Sequence, residues 1–218
     1  MASRGNPAEP RRPAPRLYLV TPQDTAGLAD KLAQALAAAD VAAVLLRLPP
    51  SDERGHVNQV KALAPTVQDK GAALLLDGHA GLAARAGTDG AHLTGLDALH
   101  DALTTLKPAR IAGCGGLETR HDAMLAAEAG ADYVMFGEPD AAGHRPSCEA
   151  IVERVAWWSE VFEIPCIGFA GSPDEAQALA QAGADFVAVG DCVFADARGC
   201  TAALADVARR VAAAEIAA

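Results

Sequence analysis

The stretch Ala129–Gly137, AGADYVMFG, recurs as AGADFVAVG at Ala182–Gly190 and, more loosely, as AGTDGAHLTG at Ala86–Gly95. Each copy has the same grammar. A glycine follows an Ala-rich segment, an aspartate follows the glycine, and a short apolar run follows the aspartate. Glycine readily takes the left-handed conformation that ends a helix. A continuous apolar run of roughly four to eight residues reads as a strand buried on both faces. The repeated unit is therefore a helix end feeding a parallel strand. Asp132 and Asp185 then lie at the N-terminal ends of their strands, where a structural role is expected of them.

Working outward, apolar runs at 16–22, 41–48, 72–77, 90–93, 109–115, 131–137, 165–171 and 184–191 are predicted strands. Between them, helical periods cover 25–39, 52–69, 119–129 and 147–161, followed by Pro173 to Gln181 and a final helix over 204–214. Leu28, Leu32 and Leu36 share one face of the first; Ile151, Val155 and Trp158 share one side of the fourth. Ser172 is the expected N-cap before Pro173. Alternating strands and helices with short links predict right-handed crossovers and a parallel sheet. Eight such units in about 200 residues predict a closed (β/α)8 TIM barrel, α/β in class. The expected layout is a disordered tail over 1–15 and a single barrel domain over 16–218.

Composition bounds the function. At 218 residues the chain is large enough for one sizeable core. Half of it is hydrophobic (51%) but only 4% is aromatic, so small side chains must do the close packing. A net charge of −10 argues against a nucleic-acid surface, which needs clustered Lys and Arg. A phosphorylated ligand would have to be held locally, by helix N-termini, backbone N–H groups or a metal. The five cysteines are scattered without a CxxC pair, which fits small buried hydrophobes in a reducing compartment better than a zinc site. The opening MASRGNPAEPRRPAPR has no apolar core and is not expected to be a secretory signal; a weak basic docking arm is the alternative to a disordered tail. No apolar run reaches the length of a membrane span, so a cytoplasmic protein without a membrane partner is expected. Trp157 and Trp158, on an Ala-rich helix, offer either a homodimer surface or cover for the barrel wall.

In a barrel of this kind the chemistry gathers at the C-terminal ends of the strands. Those ends carry Thr21, Arg47, Asp77 with His79, His92 with Asp97, Cys114 with Gly115, Glu138, Gly171, and Gly190 with Asp191. Arg47 closes an apolar strand and needs an anion, from a ligand or a local salt bridge. Asp77 is a candidate site carboxylate or helix N-cap, and Asp97 a candidate helix cap or divalent-cation ligand. His92, inside its strand, reads as a hydrogen-bonded interior histidine or a general base. Glu138 is a candidate proton carrier or a solvated loop residue. The loops at Gly171 and Gly190 end the last two strands and read as a phosphate cradle of backbone amides. Asp191 opposes an anion there unless its side chain turns away to cap the segment after it.

Taken together, LYLVTP in the first strand, Arg47, GAHL, AGADYVMFG, IPCIGFAG and AGADFVAVG resemble the thiamine phosphate synthase and thiazole tautomerase superfamily over roughly 16–212. The resemblance implies substitution at a pyrimidine methylene: diphosphate departs and a thiazole phosphate nitrogen attacks. It implies Mg2+ as cofactor, with Asp97 at one metal position and Asp77 one position early at the other. Gly115, Arg145, Gly171 and Gly190, with Arg47, would hold phosphate. The chain departs from the family pattern at several places. Leu45 and Pro49 stand where a Gln and a Lys flank the arginine, and Gly113-Cys114-Gly115 replaces Gly-x-Ser. GEPDAAGHRPS lacks the phosphate-gripping Thr and Lys and offers only His144 and Arg145. Glu138 stands where the tautomerase branch has His, and Asp191 where a Ser is usual. Three readings stay open on these residues: a divergent synthase, a tautomerase-like proton-transfer enzyme with Glu138 as acid or base, and a barrel that binds a phosphorylated ligand without catalysis.

Overall fold

A computed structural model describes residues 14–24 and 26–214. The expected tail, residues 1–15, lies outside the described residues except for Ala14 and Pro15. The strands are β1 (Arg16–Val20), β2 (Val41–Leu46), β3 (Ala73–Asp77), β4 (Gly90–Thr94), β5 (Ile111–Gly115), β6 (Tyr133–Phe136), β7 (Cys166–Ala170) and β8 (Phe186–Val189). All pair in parallel with their sequence neighbours, and β1 pairs with β8, so the sheet closes into a (β/α)8 barrel. Seven of the strands are shorter than their apolar runs predict, because the runs continue into the links; β4 instead extends one residue past its run, to Thr94.

Among the described residues the helices are α1 (Leu28–Ala38), α2 (Glu53–Gln68), α3 (Ala80–Ala86), α4 (Leu96–Leu106), α5 (Arg120–Ala129), α6 (Cys148–Val161), α7 (Pro173–Gln181), α8 (Asp191–Phe194) and α9 (Cys200–Ala212). The periodicity reading omits α3, α4 and α8. α3 and α8 are too short to show a period, whereas α4 does bury Leu99, Ala102 and Leu106 at i, i+3, i+7. The last helix begins at Cys200, four residues earlier than 204. Ser172 caps α7 as expected, accepting from the Glu175 N–H. None of the helices described is long and apolar enough to cross a membrane.

Alternate strand residues face opposite ways, and both faces are buried. Tyr18, Leu45, Leu75, Tyr133, Met135 and Phe169 belong to the cluster that fills the barrel interior. A larger layer, including Leu19, Val44, Leu74 and Val187, packs against the helices. Trp158 is fully buried in that outer layer, stacked on Phe162 at 4.1 Å, so it covers the barrel wall.

The repeated phrase has one physical meaning in all three copies. Gly87, Gly130 and Gly183 have φ of 78°, 108° and 91° at the ends of their helices. Each following aspartate then ties its strand to the one before. Asp89 accepts from Leu74 N at 2.7 Å, Asp132 from Ala112 N at 2.7 Å, and Asp185 from Cys166 N at 2.8 Å. In every case the aspartate's own N–H returns to the carbonyl of the same residue. These are register clamps on the N-terminal face, far from the chemistry, and the structural role expected of Asp132 and Asp185 holds.

Candidate active site

The opposite rim gathers the polar residues. Arg47 directly follows β2. Its N–H donates to Thr21 Oγ1 at 3.0 Å, which fixes the turn. Its Nε lies 3.3 Å from Oδ2 of Asp77, the last residue of β3, and both side chains are partly exposed. The anion that Arg47 requires is thus supplied by Asp77. Asp77 does not cap the next helix: the N-cap of α3 is His79. Burial lowers the His79 pKa below its ordinary value, and the neighbouring His56 ring, 5.0 Å away, adds to the effect. Asp97 lies in the first turn of α4; the N-cap there is Gly95, with no side-chain bond, so Asp97 is not a cap either.

A second cluster lies over β4, β5 and β6. Glu138, two residues beyond β6, accepts from His92 Nε2 at 2.8 Å and from Gly116 N at 3.1 Å. His92 Nδ1 meets Tyr133 Oη at 2.9 Å, and Tyr133 Oη meets Tyr18 Oη at 2.9 Å. His92 is therefore the hydrogen-bonded interior histidine, and it also touches a rim carboxylate. Burial alone would push its imidazole pKa down; the charge and hydrogen bond of Glu138 outweigh this and hold it above the ordinary value. Burial first, and then Glu138, push the Cys114 thiol up to about 12, consistent with an inert buried cysteine. Gly115 closes β5 directly beneath the cluster. A Cβ there would lie 1.7 Å from Glu138 Oε2 and 2.7 Å from His92 Nε2.

The third group lies at the ends of β6, β7 and β8. Arg145 is anchored by the carbonyls of Gly137 and Phe169, at 3.2 and 2.8 Å. Its Nη1 donates to Glu175 Oε2 at 2.8 Å, and the same oxygen accepts from Gly171 N at 2.7 Å. Glu175 thus occupies both the arginine and the loop amide expected to hold phosphate. Gly190 is the N-cap of the short helix α8 and approaches Val20 O closely, 3.3 Å from where a Cβ would be. Asp191 begins α8, is exposed, and contributes no side-chain cap, so its carboxylate still opposes an anion at the Gly190 loop.

Residues 17–193 match the family model for thiamine monophosphate synthase, TMP-TENI. The chain belongs to the thiamine monophosphate synthase family. It is 41% identical over 196 residues to a thiamine-phosphate synthase of Rhodospirillum centenum, covering 88% of this chain and 95% of that one. It is 35% identical to the thiamine-phosphate synthase of Erythrobacter litoralis over 200 residues, 88% of this chain and 94% of the relative. The fold is also that of a thiamine phosphate pyrophosphorylase from Pyrococcus furiosus, with a TM-score of 0.78 at 22% identity over 90% of this chain and 95% of that one.

In this member of the synthase family, the residues read from the sequence fall into two neighbourhoods and one outlier. Arg47, Asp77, His92 and Glu138 act on one another electrostatically at the rim and just beneath it. Arg145 and Gly171 lie together at the ends of β6 and β7, joined through Glu175. Asp97 is bonded to neither. Sequence reasoning missed Tyr18, Tyr133 and Glu175. The first two carry a signal only in combination: glycines at 113 and 115, on the barrel-facing side of β5, leave room for large side chains on neighbouring strands. Glu175 stands three residues after the N-cap Ser172, at capping-box spacing.

Mg2+ is implied by the family resemblance. No group of three His, Cys, Asp or Glu side chains able to hold a metal occurs among the described residues. An all-protein cage is therefore not what these residues would form. Asp77, the last residue of β3, and Asp97, in the first turn of α4, are oxygen donors of the kind Mg2+ takes beside its waters and substrate phosphate oxygens.

Proposed function

We propose that this protein joins a pyrimidine methyl diphosphate to a thiazole phosphate, releasing diphosphate and forming thiamine phosphate. The observation that carries this reading is the convergence of Arg47, Asp77, His92 and Glu138 at the C-terminal rim, in a chain whose 41%-identical relative is a thiamine-phosphate synthase. The leaving diphosphate demands positive charge, and Arg47 supplies it on a short, fixed link. Asp77 and Asp97 would hold Mg2+, which supplies neutralisation of the leaving group's charge. Arg47 would then exchange part of its contact with Asp77 for the diphosphate.

The thiazole phosphate would bind between the loops of Gly171 and Gly190. Arg145 replaces in charge what the missing Thr and Lys would give, and its anchoring to two backbone carbonyls preorganises it. The donors are Gly171 N–H and Arg145 Nη1, and Glu175 is the carboxylate that phosphate replaces on them. The barrel holds both rings above the interior cluster and excludes water from the reacting carbon.

The test is direct. Purified protein, both precursors and Mg2+ should release diphosphate in a coupled assay; folded protein that releases none overturns the reading. A second reading, proton transfer on the thiazole phosphate, is favoured by the Glu138–His92 hydrogen bond at the rim. It predicts metal-independent isomerisation that Glu138→Gln abolishes, and unchanged isomerisation in that variant removes it.

A further inference from the structure

Four polar side chains run in a line from the rim into the barrel axis, and neither the metal site nor the phosphate loops use the line as a whole. Glu138 is 13% exposed by side chain and His92 1%. Tyr133 and Tyr18, at 6% and 1%, continue it inward. A carboxylate carries no proton, so His92 Nε2–H must donate to Glu138 Oε1. This holds for the imidazole and for the imidazolium alike. The Tyr133 hydroxyl can donate to Nδ1 of the first or accept from Nδ1–H of the second, and Tyr18 complements it in either case. The ring also stacks on Tyr133, 5.7 Å between centroids and 13° between planes. Gly116 N holds the other carboxylate oxygen. Glu138 is therefore fixed in one orientation whatever the protonation state of His92.

The barrel is carved to admit this line. A Cβ on Gly113 would lie 1.9 Å from the Tyr133 ring, and one on Gly115 1.7 Å from Glu138 Oε2. Apolar filling, as elsewhere in the interior, would satisfy packing without the cost of desolvating four polar groups. Glu138, at the rim end, is the most exposed of the four.

The proposed reaction creates a positive charge at this rim. The C–O bond breaks with its electron pair going to diphosphate, leaving the pyrimidine methylene cationic. The thiazole nitrogen lone pair then forms the C–N bond, and the charge ends on that nitrogen. Arg47 and Arg145 serve the anions. Asp77 and Asp97 would serve Mg2+, and Glu175 stands at the Gly171 loop, away from the cluster over β4, β5 and β6. The geometry points to Glu138 as the group that stabilises the cationic ring, with His92 as its positioning residue and Tyr133 and Tyr18 holding His92 in place. This rests on the synthase reading for its reaction, but not for its binding consequence: Glu138 should prefer a cationic thiazolium to a neutral ring of the same shape.

Two measurements on the full chain test it. In turnover, Glu138→Gln lowers kcat by about 10²–10³-fold, the range seen when one preorganised electrostatic contact is removed, with little change in KM for the diphosphate substrate. Glu138→Asp recovers part of the loss, and Tyr133→Phe lowers kcat with KM preserved. In calorimetric titration, an N-alkylated thiazolium phosphate binds about tenfold tighter than its neutral thiophene isostere, and Glu138→Gln removes the difference. Diphosphate release by wild type with kcat unchanged in folded Glu138→Gln overturns the assignment. So does equal binding of cation and isostere by wild type. A Glu138-dependent cation preference in a wild type that releases no diphosphate sinks the synthase reading and upholds the assignment.

Discussion

Gly115 has no side chain because Glu138 and His92 fill the space one would need. The nearer obstruction is the end of a flexible carboxylate, which can swing away at modest cost. Gly115→Ala is therefore expected to leave the barrel folded while pushing Glu138 off His92. Synthase turnover should fall by at least about tenfold, with a stability loss near the low end of the roughly 1–3 kcal/mol typical of overpacking; thermal unfolding and kcat measured on one preparation check both. His92 gives a prediction in pH. Its folded pKa is raised, so the folded state binds the proton more tightly than the unfolded chain does. The resulting stability is complete below the unfolded value of about 6.5 and is lost as pH rises through the folded pKa. Urea unfolding across that interval should show the wild type losing stability relative to His92→Asn as the solution becomes alkaline. A parallel course for the two proteins would mean that the imidazole gains nothing from Glu138.

Among the elements, β5 and α7 carry the rim clusters, while the N-terminal clamps serve the register. β5 reads Ile-Ala-Gly-Cys-Gly and buries Cys114 outward while Gly113 and Gly115 yield the interior to its neighbours. α7 starts at Ser172 and Pro173 as a well-capped helix should. Its first turn nonetheless sends Glu175 back to Gly171 N–H and Arg145 rather than to the N-cap amide. Both donors are placed by backbone, Arg145 by the carbonyls of Gly137 and Phe169, so they stay in position when Glu175 is neutralised. Glu175→Gln should then bind inorganic phosphate several-fold more tightly, about 1 kcal/mol for one competing charged contact relieved. Calorimetry with phosphate reads this, and weaker binding by the variant would show Glu175 to be part of the support for Arg145.

The whole molecule is one closed ring, so each strand depends on two neighbours and the helices seal it from outside. Trp158 shows how far a single position reaches. It is fully buried, donates its indole N–H to Ile164 O at 2.7 Å, and packs edge-on to Phe136 of β6 at 5.8 Å. Trp158→Ala should cost about 3–5 kcal/mol. Because the ring has no free edge, far-UV circular dichroism and tyrosine fluorescence should report one coincident transition in both proteins; separated transitions would mean that part of the barrel unfolds alone.

Strand number, order and direction follow from apolar runs and Ala-rich periods, since a strand buried on both faces must be apolar throughout. The clamping aspartates are equally readable, because Gly-Ala-Asp before such a run is a local pattern with a local cause. So is the rim position of Arg47, Asp77 and Glu138, which depends only on where each strand ends. Their partners are not. Asp77 meets Arg47 across two strands, Glu138 meets His92 across 46 residues, and Tyr133 meets Tyr18 across 115. Such pairings depend on how far each strand is staggered against the next when the ring closes, and on the space two glycines leave inside it. Stagger and space belong to the assembled barrel, and no single segment of the chain contains them.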